Sequence, residues 1–400
     1  MRFGSLFQGG LVVALAGSSV AAPPPSKYSP ASTEKTDVIA KAALATLTEY
    51  AANNPNPSSC TIKTAAKRRE WGTLCPSERR KYIAAVKCLM SKPSKLDPIE
   101  VPGAKSRYDD FVAVHMNQTF TIHATANFLS WHRLFAWSFE QALRNECGYK
   151  GFLPYWNWGK WAYDPLKSPL FDGSDTSLSG NGVYAEHACT NALPTNLNCI
   201  PPGVGGGCVS EGPFKDMVVN LGPAFSAFAP TEPIPVPSTL FGHNPRCLRR
   251  DISSWVSSNW TTDHETWDLL VNYGSDIETF QNRMQGDFDS GYFGVHSGGH
   301  YTLNGDPSAD FSVSPGDPAF WLHHGQIDRV WWMWQNTDPE TRTKAIAGTI
   351  TISNQPPSRE GRLDDILDMG PPGVLGESLV MEKAMSTIGM TGGPFCYIYV

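Results

Sequence analysis

Residues Ser314–Gln335 read SPGDPAFWLHHGQIDRVWWMWQ. From Pro318 to Asn336 the apolar residues recur every three or four positions, which is the spacing of a helix. Trp321, Trp331, Trp332 and Trp334 crowd onto that helix, and burial in a bundle accounts for all four. His323 and His324 are out of place in such an interior, because each imidazole brings two polar nitrogens that need partners. Helical spacing does not choose between them. His323 shares a face with Ile327 and Val330, and His324 shares one with Ile327 and Trp331.

Working outward, the chain holds 10 histidines, and six of them fall into two groups of three. His115, His123 and His132 lie in the first half; His296, His300 and one of His323 or His324 lie in the second. His296 and His300 are one helical turn apart, so a helix presents both on one face where they can share a metal. His123 and His132 are out of phase on a continuous helix and converge only if His123 sits on the approach to a helix beginning near Trp131. His115 then projects from the preceding helix. A lone buried histidine is usually a hydrogen-bonded core residue, and His187, His243 and His264 are read that way. Two like triplets are not. No HExxH pattern is present, which disfavours a zincin protease. Sites built from imidazole alone suit copper or zinc, and two facing sites can take one dioxygen between them.

The rest of the chain sets the context. It has 400 residues, 41% hydrophobic and 18% charged, which is a globular composition. A net charge of -6, with no basic run beyond AKRRE at Ala66–Glu70, argues against nucleic acid or an anionic membrane as partner. The N-terminus has Arg2, an apolar run from Leu11 to Gly17 and then small residues, the pattern of a secretory signal peptide cut after Ala21. The run is too short to span a bilayer, so a secreted protein without a membrane partner is expected. Nine cysteines without CxxC spacing fit disulfides in an oxidising compartment and leave at least one thiol unpaired. Asn117 and Asn259 head sequons, Asn117 being the less favoured because it is two residues from a candidate ligand.

Helical spacing covers Asp37–Ala52, Pro76–Met90, Arg107–Asn117, Trp131–Cys147 with Gly148 as its cap, Ser275–Gln285 and Pro318–Asn336. Residues 164–246 turn to Pro, Gly, Ser and Cys, including CIPPGVGGGC and PTEPIPVPS, and read as a long irregular insertion pinned by disulfides. The two histidine groups flank it, so one domain is expected.

These stretches carry a resemblance. HATANFLSWHRLFAWSFEQALR from His123, LPYWNW at Leu153–Trp158, HSGGH at His296–His300 and DPAFWLHHGQIDRVWWMWQ from Asp317, with RREWGTL from Arg68, resemble the type 3 copper proteins of the tyrosinase and catechol oxidase family, in particular its short secreted fungal branch. The resemblance implies a mainly α fold, a central four-helix bundle holding a dinuclear copper site, with long irregular loops and few short strands. It divides the chain into a signal peptide (1–21), a leader and helix (22–55) and a catalytic domain (56–400), with no C-terminal shielding domain after the Tyr397-x-Tyr399 pattern that closes against Arg68 or Arg69. It assigns two copper ions to His115, His123, His132, His296, His300 and His324, picking the second of the adjacent pair. His323 and Asp328 then become groups that orient the ligands, and Phe320 packs on the copper site.

Three departures from the family pattern bear on activity. Thr121 stands where many fungal tyrosinases have a cysteine joined to histidine, so that thioether is absent. Gln285 stands at the position of a glutamate, and Ser297 at that of an asparagine, which in tyrosinases hold a water that helps deprotonate monophenols. A neutral amide is not a base. The expected partners are therefore dioxygen and a small phenol, with o-diphenols or o-aminophenols oxidised to quinones. A monophenol-hydroxylating tyrosinase is the alternative and a haemocyanin-like dioxygen binder the third reading. Phe311 is a candidate gate over the site.

Overall fold

The computed structural model describes residues 29–192 and 199–400; the expected signal peptide lies outside the described residues. The first half holds α1 (Glu34–Asn53), β1 (Ala66–Arg68), α2 (Pro76–Ser91), α3 (Arg107–Ile122) and α4 (Phe128–Cys147). Short strands follow: β2 (Gly182–Tyr184), β3 (Thr190–Asn191), β4 (Cys199–Ile200), β5 (Gly206–Val209), β6 (Val218–Val219) and β7 (Arg246–Cys247). The second half holds α5 (Ser254–Trp260), α6 (Asp263–Val271), α7 (Ile277–Gln285), α8 (Gly294–Leu303), α9 (Ala319–Asn336) and α10 (Pro339–Arg342), then β8 (Ile366–Leu367), β9 (Leu379–Val380) and β10 (Tyr397–Tyr399). The mainly helical expectation holds. Every named strand pairs with one other, and β1 lies parallel to β10 with Arg68 opposite Tyr399.

Helix α9 is the axis of the molecule. All its residues are buried, which is why its sequence is apolar around the whole circumference. Trp321 stacks on Phe139 of α4 at 3.7 Å, Trp334 on Phe280 of α7 at 5.1 Å, and Trp331 lies under the Arg133 guanidinium at 3.7 Å. Asp317 ends the approach to α9. Its carboxylate accepts the Ala319 amide and a two-pronged contact from the buried Arg250, a geometry that fixes direction as well as charge.

Helix α3 begins at a reciprocal cap, in which Ser106 accepts the Asp109 amide and the Asp109 carboxylate accepts the Ser106 amide. Its apolar spacing predicts an end at Asn117, but the helix runs to Ile122, the Thr119 and Thr121 hydroxyls in its last turns donating to the carbonyls of His115 and Gln118. Helix α4 starts at Phe128, a turn before the expected Trp131, and ends on Gly148 at φ 68°, as expected. Helices α5 and α6 are not expected from apolar spacing, being seven and nine residues long, α5 with three serines and α6 with four apolar residues gathered in its second half. Their signal was in the caps: Ser253 accepts the Val256 amide, and Thr262 the Glu265 amide.

Four disulfides join Cys60 to Cys396, Cys88 to Cys147, Cys189 to Cys199 and Cys208 to Cys247, leaving Cys75 as the exposed free thiol. The Pro/Gly-rich segment is no appendage. Phe171, Leu178, Val209, Phe214 and Leu221 belong to the same hydrophobic core as α9.

Candidate metal centre

Helix α3 carries His115, and its C-terminal cap is His123, where the backbone becomes extended at φ -124° and ψ 143°. His132 stands on α4. The approach-segment position expected for His123 is therefore observed, and it brings the three rings to centroid distances of 5.2, 5.8 and 5.0 Å. One nitrogen from each of the three lies within 4.8 Å of the others. His296 and His300 on α8 meet His323 and His324 on α9 in a second group within the same limit. The two groups face one another: His132 stacks on His324 at 4.6 Å and 15°, and His123 lies 6.1 Å from His296.

Main-chain carbonyls set the ring orientation in the first group. Nδ1 of His115 lies 2.8 Å from the Ser312 carbonyl, Nδ1 of His123 lies 2.9 Å from that of Thr119, and Nδ1 of His132 lies 2.8 Å from that of Phe128. A carbonyl only accepts, so each Nδ1 carries the proton and each Nε2 keeps its lone pair. Nε2 of His115, His132 and His296 is buried without a protein partner. His300 and His324 point their Nε2 atoms at each other across 3.2 Å. Orphaned, converging imidazole nitrogens of this kind are what an open metal site requires, and an all-imidazole donor set fits copper.

Burial and then the neighbouring imidazoles hold His115, His132, His296, His300 and His324 well below the usual histidine range. Burial pushes His123 down to about 4 and His323 to about 3. All seven rings are thus neutral at neutral pH, the form that binds metal.

The adjacent pair diverges. His324 lies against Phe320 at 4.2 Å and against His132, between the two groups. His323 packs on Trp158 at 5.3 Å and on His300 at 4.5 Å, with the His296 backbone as the polar group nearest its ring. Gly299 makes its room, since a Cβ there would overlap Cε1 and Nδ1 of His323. Phe320 is buried and also touches His115 and His300.

Gln285 and Ser297 come together beside the site. The Gln285 side-chain oxygen accepts the Ala124 amide at 2.7 Å, next to His123, and its Nε2 donates to the Gln281 carbonyl at 3.3 Å. Ser297 Oγ donates to the Gln285 carbonyl at 2.7 Å. Asp328 is hydrogen-bonded to its neighbours and not directly to a histidine: its carboxylate accepts Arg133 Nε, beside His132, at 2.6 Å, Arg68 Nη1 at 3.3 Å and the hydroxyls of Tyr397 and Tyr399. The expected closure of the tyrosine pair on Arg68 is present, and Asp328 is its centre. His187 is a buried hydrogen-bonded residue, paired with Asp251 at 2.9 Å, whereas His243 and His264 are exposed rather than core. Both sequon asparagines are exposed, Asn259 donating to the Trp255 carbonyl. Apolar spacing and residue type missed Ser312, whose contribution is a carbonyl, and Asp310, whose buried carboxylate accepts the amides of Ser312 and Val313.

Comparison with known proteins agrees with this geometry. Residues 105–337 match the model of the common central domain of tyrosinase. The chain is 43% identical over 340 residues to tyrosinase P of Aspergillus terreus, covering 83% of this chain and 91% of that protein. It is 40% identical over 353 residues to the N-acetyl-6-hydroxytryptophan oxidase ivoB of Emericella nidulans, covering 85% and 93%. A variant polyphenol oxidase from Thermothelomyces thermophila superposes with a TM-score of 0.83 at 38% identity, covering 92% of this chain and 98% of the other.

Proposed function

Because the chain belongs to the tyrosinase family of type 3 copper oxidoreductases, we propose that it is a secreted o-diphenol oxidase holding two copper ions, one at His115, His123 and His132 and one at His296, His300 and His324. When bound, the copper pair would supply the electron exchange by which two diphenols are oxidised to two o-quinones while one dioxygen is reduced to two waters. The protein's own part is position and exclusion. Carbonyls of Ser312, Thr119 and Phe128 fix which nitrogen of each ring is free, and the buried Phe320 packs an apolar ring on His324 at 4.2 Å. Four disulfides fit an exported protein, and among the described residues no helix is long and apolar enough to cross a membrane.

The observation that carries the diphenol preference is Gln285. Both ends of its amide are committed to main-chain groups, so this position offers no base to a monophenol, whereas the adjacent hydroxyls of an o-diphenol need less help from one. A second reading, a tyrosinase that hydroxylates or tailors a monophenolic metabolite, is favoured by the likeness to an oxidase whose named substrate carries one ring hydroxyl. Copper analysis and a substrate pair decide between them. The diphenol reading expects two coppers per chain and a low ratio of tyramine to dopamine turnover. In the Gln285→Glu, Ser297→Asn double variant, at equal copper loading, the ratio rises, a placed general base being worth about 10²–10⁴-fold. Efficient tyramine hydroxylation by the parent, or a ratio unchanged in the variant, would overturn the Gln285 argument.

A further inference from the structure

Phe120, on the last turn of α3, is 48% exposed, and Phe225, between β6 and β7, is 40% exposed. A single exposed aromatic ring needs no explanation. These two meet edge to face at 5.1 Å, Phe120 reaches Phe311 at 6.3 Å, and Phe311 lies on the His123 ring at 4.6 Å. Three rings from three separate segments thus run without a break from solvent to the first histidine group.

The path is held rigidly to the site. The Asp310 carboxylate, fully buried, accepts the amides of Ala224 and Phe225 with one oxygen and those of Ser312 and Val313 with the other. Main-chain bonds from Phe311 to Phe225 and from Ala227 to Ala309 run alongside. One clamp therefore displays both Phe225 and Phe311 and also fixes the Ser312 carbonyl that orients His115. Residues 118–121 and 224–227 carry no charged side chain, so the two segments that display Phe120 and Phe225 offer aromatic faces and no formal charge of their own.

We infer that Phe120, Phe225 and Phe311 form a binding subsite for a neutral aryl group attached to the phenolic substrate, so that the enzyme selects phenols extended by a second ring over the bare catechol. This rests on the oxidase reading of the histidine groups. Aromatic pairs prefer the edge-to-face arrangement that a flat ring would complete here, and a rim already fixed by Asp310 loses little freedom on binding.

The test uses the copper-loaded chain and the variants Phe120→Ser and Phe225→Ser, whose exposure leaves the fold intact, as an unchanged melting temperature verifies. Kcat/KM is measured with 4-methylcatechol and 4-phenylcatechol. The subsite requires each variant to lose about 2–10-fold with 4-phenylcatechol, the worth of one aromatic pair, while 4-methylcatechol stays constant. Equal losses on both, or no loss on either, overturn it. In parallel, calorimetry compares the unreactive probes benzoate and biphenyl-4-carboxylate. A preference for the second that falls in the variants supports the rim even if no diphenol is oxidised, in which case the oxidase reading alone has failed; a preference that does not fall overturns the rim.

Discussion

Asp328→Asn tests how the two histidine groups are held together. Asp328 stands one turn after His324 on α9, and Arg133 directly follows His132 on α4, so their 2.6 Å contact ties one helix of each group to the other. Asparagine keeps the shape and removes the charge. Arg68 would then keep Glu140 at 3.1 Å, but Arg133 would have only Gln335 and the carbonyls of Ala384 and Met385. Deleting one partner of a buried ion pair costs about 3–5 kcal/mol. With a urea slope of about 3 kcal/mol/M, the high end of the range for small proteins, the midpoint should fall by about 1–1.7 M at pH 7 with disulfides intact, followed by tryptophan fluorescence. Burial alone would raise the Asp328 carboxyl, but Arg133, Arg68 and the two tyrosine hydroxyls hold it below the usual carboxylate range. A depressed native pKa contributes stability that is complete above the unfolded value of about 3.9 and is lost as pH falls through the native one. The gap between parent and variant should therefore be constant from neutral pH down to about 5 and shrink below about 4. A gap under about 1 kcal/mol at pH 7, the scale of an exposed pair, or one that widens on acidification, would refute the reasoning.

Three further outcomes are expected. His324→Ala should abolish copper at the second group, whereas His323→Ala should weaken affinity by about 10–100-fold as losses beside a ligand do; metal titration showing the reverse order would exchange their roles. Gly299→Ala should destabilise by about 1–3 kcal/mol through overlap with His323, although alanine is the better helix former by about 1 kcal/mol; a raised melting temperature with copper retained would remove Gly299 from the account. Native protein should react with a maleimide at Cys75 alone, the other eight cysteines appearing only after reduction, and mass spectrometry counts them.

What the sequence disclosed followed from residue type. Histidines four apart on one helix, a tryptophan-rich run and a glycine after Cys147 each carry their own signature, and α8, α9, the end of α4 and both histidine groups stand where those signs put them. The orienting partners carry none, because the atoms that fix His115, His123 and His132 are main-chain oxygens that any residue would supply. The partners of Asp328 were illegible for a related reason. Spacing placed it one turn from His324 but said nothing of Arg68, Arg133, Tyr397 and Tyr399, which reach it from distant parts of the chain. The phenylalanine rim was illegible likewise, since Phe120, Phe225 and Phe311 become neighbours only through folding.

The Cys60–Cys396 bond joins positions 336 residues apart, with β1 paired to β10 beside it. Mechanically, this takes the bundle out of the circuit of its own ends. A pull applied at Ser59, past the end of α1, and after residue 396 is carried by a single sulfur–sulfur bond, and the helices between them feel no tension. An unfolded loop of that size has a contour of roughly 1,100 Å at about 3.4 Å per residue, and all of it would stay slack in a stretching experiment until the bond was reduced. Tethers attached at Ser59 and after residue 396 would leave the histidine groups unloaded, whereas the same pair in a reducing buffer would draw directly on Arg68, Asp328 and the tyrosine pair.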